Sequence, residues 1–87
     1  MRKSEPIRKI YTTGGIDWLY QSHQTEIDNI VKRFLSGDFG SSSQAPKNER
    51  IKEFGSYEAS FGTMWIINYK LFRDRDFITV LLPEEYE

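Results

Sequence analysis

At 87 residues, with no cysteine and a formal charge of −1, the chain has the length of one small domain, 1–87, and neither a disulfide framework nor a thiolate site. No basic excess marks a nucleic-acid binder, no acidic excess marks an extreme mimic of DNA, and no apolar run is long enough to span a bilayer. Two Trp, five Tyr and six Phe give a ring content of 15%, enough to build a core or a binding surface.

Arg2, Lys3, Arg8 and Lys9 make the start basic, but no apolar run follows them, so a signal peptide is not expected and a cytoplasmic protein is. Ile7 to Thr12 reads as a short strand, ended by a turn at Thr13-Gly14-Gly15. Ile27, Ile30, Val31, Phe34 and Leu35 then fall at the spacing of one helix face, which Leu19, Tyr20 and His23 extend backwards. Asp17 is the expected cap, and Lys32, Arg33 and Gly37 are stop signals. Gly37 to Gln44 reads as a loop pinned by Phe39, and Pro46 to Phe54 as a short second helix stopped by Gly55.

Ser56 to Phe61 alternates Tyr57, Ala59 and Phe61 with polar residues, the pattern of a half-exposed antiparallel strand. A turn at Gly62-Thr63 leads into Met64–Tyr69, a charged stretch 70–76, and Phe77–Leu82, which is apolar on both faces and so belongs inside a sheet. The expected fold is α+β: an antiparallel three- to four-stranded sheet with one long and one short helix packed on it. The first strand is expected at one edge or beside the last strand. Ile30, Phe34, Ile66, Val80 and Leu82 are expected to be buried.

No nucleophile, acid–base pair or metal cluster is assembled in recognisable form, so no enzyme, cofactor or metal is expected. His23, with Glu26 and Asp28 near it, is better read as a core-margin residue than as an acid–base group, although a small hydrolase or nucleotide-handling enzyme built on His23 or Glu26 is the enzymatic alternative. Gly37-Asp38-Phe39-Gly40 holds the letters of the kinase magnesium motif without the rest of a kinase. Gly14-Gly15 offers amides to an anion, but the full phosphate-loop spacing and its lysine are absent. Arg73, Asp74, Arg75 and Asp76 form an alternating-charge turn, either solvated or used for partner contact. Glu84, Glu85, Tyr86 and Glu87 form an acidic, aromatic end, either a solubilising tail or a set of carboxylates that imitates phosphates.

Trp65-Ile66-Ile67, Asp74-Arg75 and the run Thr79-Val80-Leu81-Leu82-Pro83-Glu84-Glu85-Tyr86 resemble the end of a family of small uncharacterised proteins from plasmids, conjugative elements and phages of Firmicutes, often labelled as restriction-system subunits. Ile10 to Gly15 is similar to that family's opening strand and glycine turn, and Phe34 to Gly40 to the end of its first helix. Tyr69-Lys70-Leu71-Phe72 looks inserted relative to the pattern. The resemblance implies a mobile-element setting, where small cysteine-free proteins without catalysis are often anti-CRISPR or antirestriction inhibitors.

The expected function is therefore a non-enzymatic protein-binding inhibitor or accessory factor of a mobile element, directed at a CRISPR or restriction nuclease. Expected contact residues are Tyr69, Phe72, Arg73, Asp74, Arg75, Glu84, Glu85, Tyr86 and Glu87, because rings and arginines dominate interface hot spots. The alternative is a small nucleic-acid module using Arg2, Lys3, Arg8 and Lys9 with Tyr11. Either a monomer or a homodimer through an uncovered edge strand is compatible with this reading.

Overall fold

The computed structural model describes residues 8–41, 45–70 and 76–86. In chain order these form β1 (Arg8–Thr12), α1 (Gly14–Leu35), β2 (Ile51–Ala59), β3 (Gly62–Lys70), β4 (Asp76–Leu81) and a 3-10 turn (Pro83–Glu85). The four strands make one sheet in the order β1-β4-β3-β2. β2, β3 and β4 form an antiparallel meander, whereas β1 lies parallel to β4, with Ile10 opposite Ile78 and Thr12 opposite Val80. The fold is thus α+β with one helix and a mixed sheet, which corrects the purely antiparallel expectation. Parallel neighbours need a long connection between them, and here α1, β2 and β3 all intervene between β1 and β4. β1 does take both expected places at once, the sheet edge and the side of the last strand.

α1 begins earlier than expected. Thr13 stands at its N-cap with extended backbone and no side-chain cap, and Asp17 lies inside the first turn. Asp17 therefore does not cap the helix through its side chain. Its carboxylate accepts from the Thr12 hydroxyl instead, and a negative charge so near the helix start is favourable in its own right. The helix kinks at His23, whose backbone leaves the helical region (φ −127°, ψ 30°) and whose ring packs against Phe61 at 5.0 Å. Ser36 closes the helix by donating to the Lys32 and Arg33 carbonyls, and Gly37 follows with φ +99°, a backbone angle that glycine adopts without strain.

The expected second helix over Pro46–Phe54 is not formed. Residues 46–48 are irregular, 49–50 turn, and β2 starts at Ile51. The misreading has a structural cause. Ile51 and Phe54 are three residues apart, the spacing of one helix face, and in a regular strand they would point to opposite sides. A bulge between Ile51 and Glu53 takes up Lys52, so Ile51 lies opposite Tyr69 and Phe54 opposite Ile67, both on the same face. The hairpin turn also sits one pair earlier than expected. Ser60 and Phe61 form it, Ala59 pairs with Gly62, and the Glu26 carboxylate holds it by accepting from the Ser60 amide (2.7 Å) and hydroxyl (2.6 Å).

Two apolar clusters flank the sheet. On the helix side, Ile16, Ile27, Ile30 and Phe34 of α1 pack on Tyr57, Met64, Ile66, Ile78 and Val80. On the far side, Phe54, Ile67 and Leu81 are buried beneath Ile51, Trp65, Tyr69 and Tyr86. Ile30, Phe34, Ile66 and Val80 are buried as expected. Leu82 is half-buried, because it follows β4 at the end of the sheet and closes over Gly15. Leu35, at the last turn of α1, remains exposed.

Candidate functional site

Alternation along the strands builds the far face. In β3, Met64, Ile66 and Asn68 are buried, while Trp65, Ile67 and Tyr69 occupy the positions between them and point the other way. β4 contributes Phe77 and Leu81 to that second set, and β1 contributes Tyr11, whose ring lies 4.7 Å from that of Phe77. Phe77 in turn meets Tyr69 at 5.9 Å. Further along, Trp65 stands edge-on to Phe54 at 5.0 Å and to Tyr86 at 6.0 Å. The aliphatic floor is closed, with Ile67 fully buried and Leu81 nearly so, whereas Trp65, Tyr69, Phe77 and Tyr86 are half-buried and Tyr11 is exposed. Among the described residues, no helix covers these rings.

Tyr86 reaches this face through the 3-10 turn. Glu85 donates its amide to the Leu82 carbonyl at 2.9 Å and Tyr86 donates to Pro83 at 3.2 Å, which folds the chain back over the sheet. The Tyr86 hydroxyl then accepts from Asn48 Nδ2 at 2.9 Å. Burial, followed by the neighbouring Tyr86, pushes the Tyr69 phenol above its ordinary pKa, so Tyr69 carries a neutral hydroxyl at physiological pH.

The four expected contact residues that are described separate into three groups. Tyr69 and Tyr86, distant in sequence, come together on the ring face. Glu84 is exposed on the 3-10 turn. Glu85 turns inward: its Oε1 accepts from the Thr13 hydroxyl and, at 3.0 Å, the Leu82 amide, and its Oε2 accepts from the Gly15 amide at 3.0 Å. Burial opposes its charge, but these donors together outweigh that cost and hold the carboxyl below its ordinary range. The plain turn expected at Gly14-Gly15 is instead the first turn of α1, and the Gly15 amide is taken by a carboxylate of the same chain. Phe72, Arg73, Asp74, Arg75 and Glu87 lie outside the described residues, as do Arg2 and Lys3.

His23 and Glu26 are placed as parts of the scaffold. The Glu26 carboxylate is held by Ser60, chiefly its hydroxyl and then its amide, which lowers its pKa, and His23 Nδ1 stands 3.7 Å from Glu26 Oε1. Asp38 in the expected kinase-like letters accepts from Arg33 Nε at 2.8 Å and from the Gly40 amide at 3.1 Å, while its carbonyl accepts from the Tyr57 hydroxyl at 2.6 Å. Among the described residues, no group of three or more His, Asp or Glu side chains is placed to hold a metal ion.

Sequence reasoning passed over Trp65 and Phe77 as partly exposed rings of this face. The signal was present in the alternation of Trp65 and Tyr69 with Met64, Ile66 and Asn68. It also passed over Trp18, which stands 71% exposed on α1. Among the described residues no helix is long and apolar enough to cross a membrane. The chain matches no family model, no curated protein and no solved structure.

Proposed function

We propose that the chain is a non-enzymatic binding module that engages a protein partner through the ring face of its sheet. The supporting observation is the convergence of Tyr11, Phe77, Tyr69, Trp65 and Tyr86 on the face opposite α1, above an already closed aliphatic floor. Half-buried rings held in place by their neighbours lose little freedom on binding, which is what interface anchors require. The partner surface that fits is apolar with a basic rim. Glu84 is exposed beside Tyr86, and the chain carries a net charge of −1, so a strand of nucleic acid, which needs a basic groove along stacked rings, fits less well.

A nucleic-acid-handling protein offers such a basic rim. Together with the mobile-element resemblance, this directs the reading to inhibition of a CRISPR or restriction nuclease in the cytoplasm. Phosphate imitation by the tail is narrower than the sequence suggests, because Glu85 serves the fold and Glu84 and Glu87 remain to carry it.

The test is a binding titration against purified CRISPR and restriction nucleases, run beside a gel shift with bare DNA and RNA. Tyr11→Ala/Tyr69→Ala should lose at least about tenfold in affinity for the nuclease that binds, as expected when anchor rings are truncated. Trp18→Ala, on the helix side of the molecule, should bind as the parent does. Tight binding of bare nucleic acid with no affinity for any nuclease would favour the alternative built on the basic N-terminal segment and Tyr11.

A further inference from the structure

The ring face leaves one feature of the other side unexplained. Where the last turn of α1 meets the sheet there is a cavity of about 90 Å³, walled by Phe34, Phe39 and Ile78 and by the polar pair Glu53 and Asn68. Asn68 is 3% exposed, and its Nδ2 donates to Glu53 Oε1 at 2.9 Å, which fixes the amide's orientation. Its Oδ1 is buried and has no hydrogen-bond partner among the described residues. Buried polar atoms without partners are uncommon and call for an explanation.

Three properties of this cavity agree on the chemistry of an occupant. The free Asn68 oxygen is an acceptor, and the Glu53 carboxylate retains acceptor sites beyond the one that Asn68 uses. The cavity opens at the C-terminal end of α1, where the helix dipole is negative. Arg33, in the last turn of α1, is already paired with Asp38 at 2.8 Å. The ligand should therefore donate hydrogen bonds and carry positive charge. Phe34 and Phe39, whose ring centroids are 5.1 Å apart, supply aromatic walls, which suit a planar, weakly hydrated cation better than a compact ammonium. The volume admits one head group and excludes a nucleotide or a drug-sized ligand, which needs at least about 300 Å³.

We propose that this cavity is a binding site for a guanidinium group. The group comes either from a free arginine-like small molecule or from an arginine side chain of a polypeptide. The site lies on the helix side of the sheet, so it stands or falls independently of the ring face.

The full chain, labelled with nitrogen-15, is titrated with methylguanidinium to about 100 mM, the range in which so small a ligand must bind if it binds specifically. Methylurea, its neutral planar counterpart, and sodium chloride at matched ionic strength serve as controls. The expected result is saturable movement of the Asn68 side-chain amide and the Gly37 and Phe39 backbone amides with methylguanidinium alone. Glu53→Gln should weaken the response at least about tenfold, and Asn68→Leu, which keeps the buried position filled, should abolish it. A second arm separates the sources: saturation by N-acetyl-arginine methylamide assigns the site to a polypeptide arginine, and saturation by free arginine alone assigns it to a small molecule. Silence with methylguanidinium, an equal response to methylurea, or an unchanged response in both variants would overturn the assignment and leave the cavity to water.

Discussion

Glu85 shows how one side chain can change its meaning between sequence and structure. In the sequence it is one of three carboxylates in an acidic end, and in the fold it joins that end to the start of α1 through Thr13, Leu82 and Gly15. Its position resembles that of an anion at a helix N-terminus, where backbone amides and the dipole both favour negative charge. Removing it should cost about 1 kcal/mol, the scale of a lost cap, because the carboxylate is only partly shielded from water. In a domain of this length that corresponds to a fall of about 4–8 °C in the thermal midpoint. Glu85→Gln should also change the pH dependence. A carboxyl held below its ordinary value of 4.5 stabilises the fold above that value, and the contribution is lost as pH falls through the lowered one. The parent should therefore lose stability on acidification below about pH 4.5, with Glu26 and Asp38 contributing in the same sense, and Glu85→Gln should show a shallower acid slope. Thermal melts across that range check both points, and identical slopes would count against the assigned role.

Strand β2 is where sequence reading and fold diverge most, and the divergence is physical. Helical spacing and a bulged strand both bring Ile51 and Phe54 to one side, and nothing local separates the two until the pairing with β3 is known. By contrast, β4 was legible because Ile78, Val80 and Leu81 are apolar toward both faces, as a strand flanked by β1 and β3 requires. The direction of β1 was not legible, since a five-residue strand carries no mark of parallel or antiparallel pairing. Within the site, Tyr69 and Tyr86 could be singled out as aromatic contact candidates, but their meeting depends on the 3-10 turn and on the register of β3 with β4. A second feature of β2 yields a prediction. Gly55 lies beneath the Tyr57 ring, and a methyl group added there would stand 2.5 Å from the Tyr57 hydroxyl. That hydroxyl is tethered to the Asp38 carbonyl, and burial, then the Asp38 charge, raises its pKa to about 12. Gly55→Ala should therefore cost about 1–3 kcal/mol by overpacking. Tyr57→Phe removes both the obstructing oxygen and the tether, so the double variant should lose less than the sum of the singles. Denaturant titrations of the four proteins measure the coupling, and strict additivity would show that the hydroxyl is not the obstacle.

At the scale of the fold, among the described residues, one helix closes one side of a four-stranded sheet and rings close the other incompletely. The helix side holds the larger cluster, and the far side keeps a smaller one whose outer layer is aromatic and in part open to solvent. On the ring-face proposal, stability rests mainly on the first side and partner contact falls to the second. It also predicts that substitutions at the two sides separate in their effects. Phe34→Ala should cost about 3–5 kcal/mol and unfold a large share of so small a domain, whereas truncating exposed rings such as Tyr11 should leave the melting transition nearly unchanged.

The most direct measurement is a DNA-cleavage assay. A panel of purified CRISPR and restriction nucleases is titrated with the parent protein and with Tyr69→Ala/Tyr86→Ala, after circular dichroism has shown that the variant is folded. The ring-face reading predicts that the parent stops at least one nuclease near equimolar ratio, and that the variant requires at least about tenfold more protein for the same effect. Cleavage unaffected by the parent across the panel, or equal inhibition by the folded variant, would contradict it.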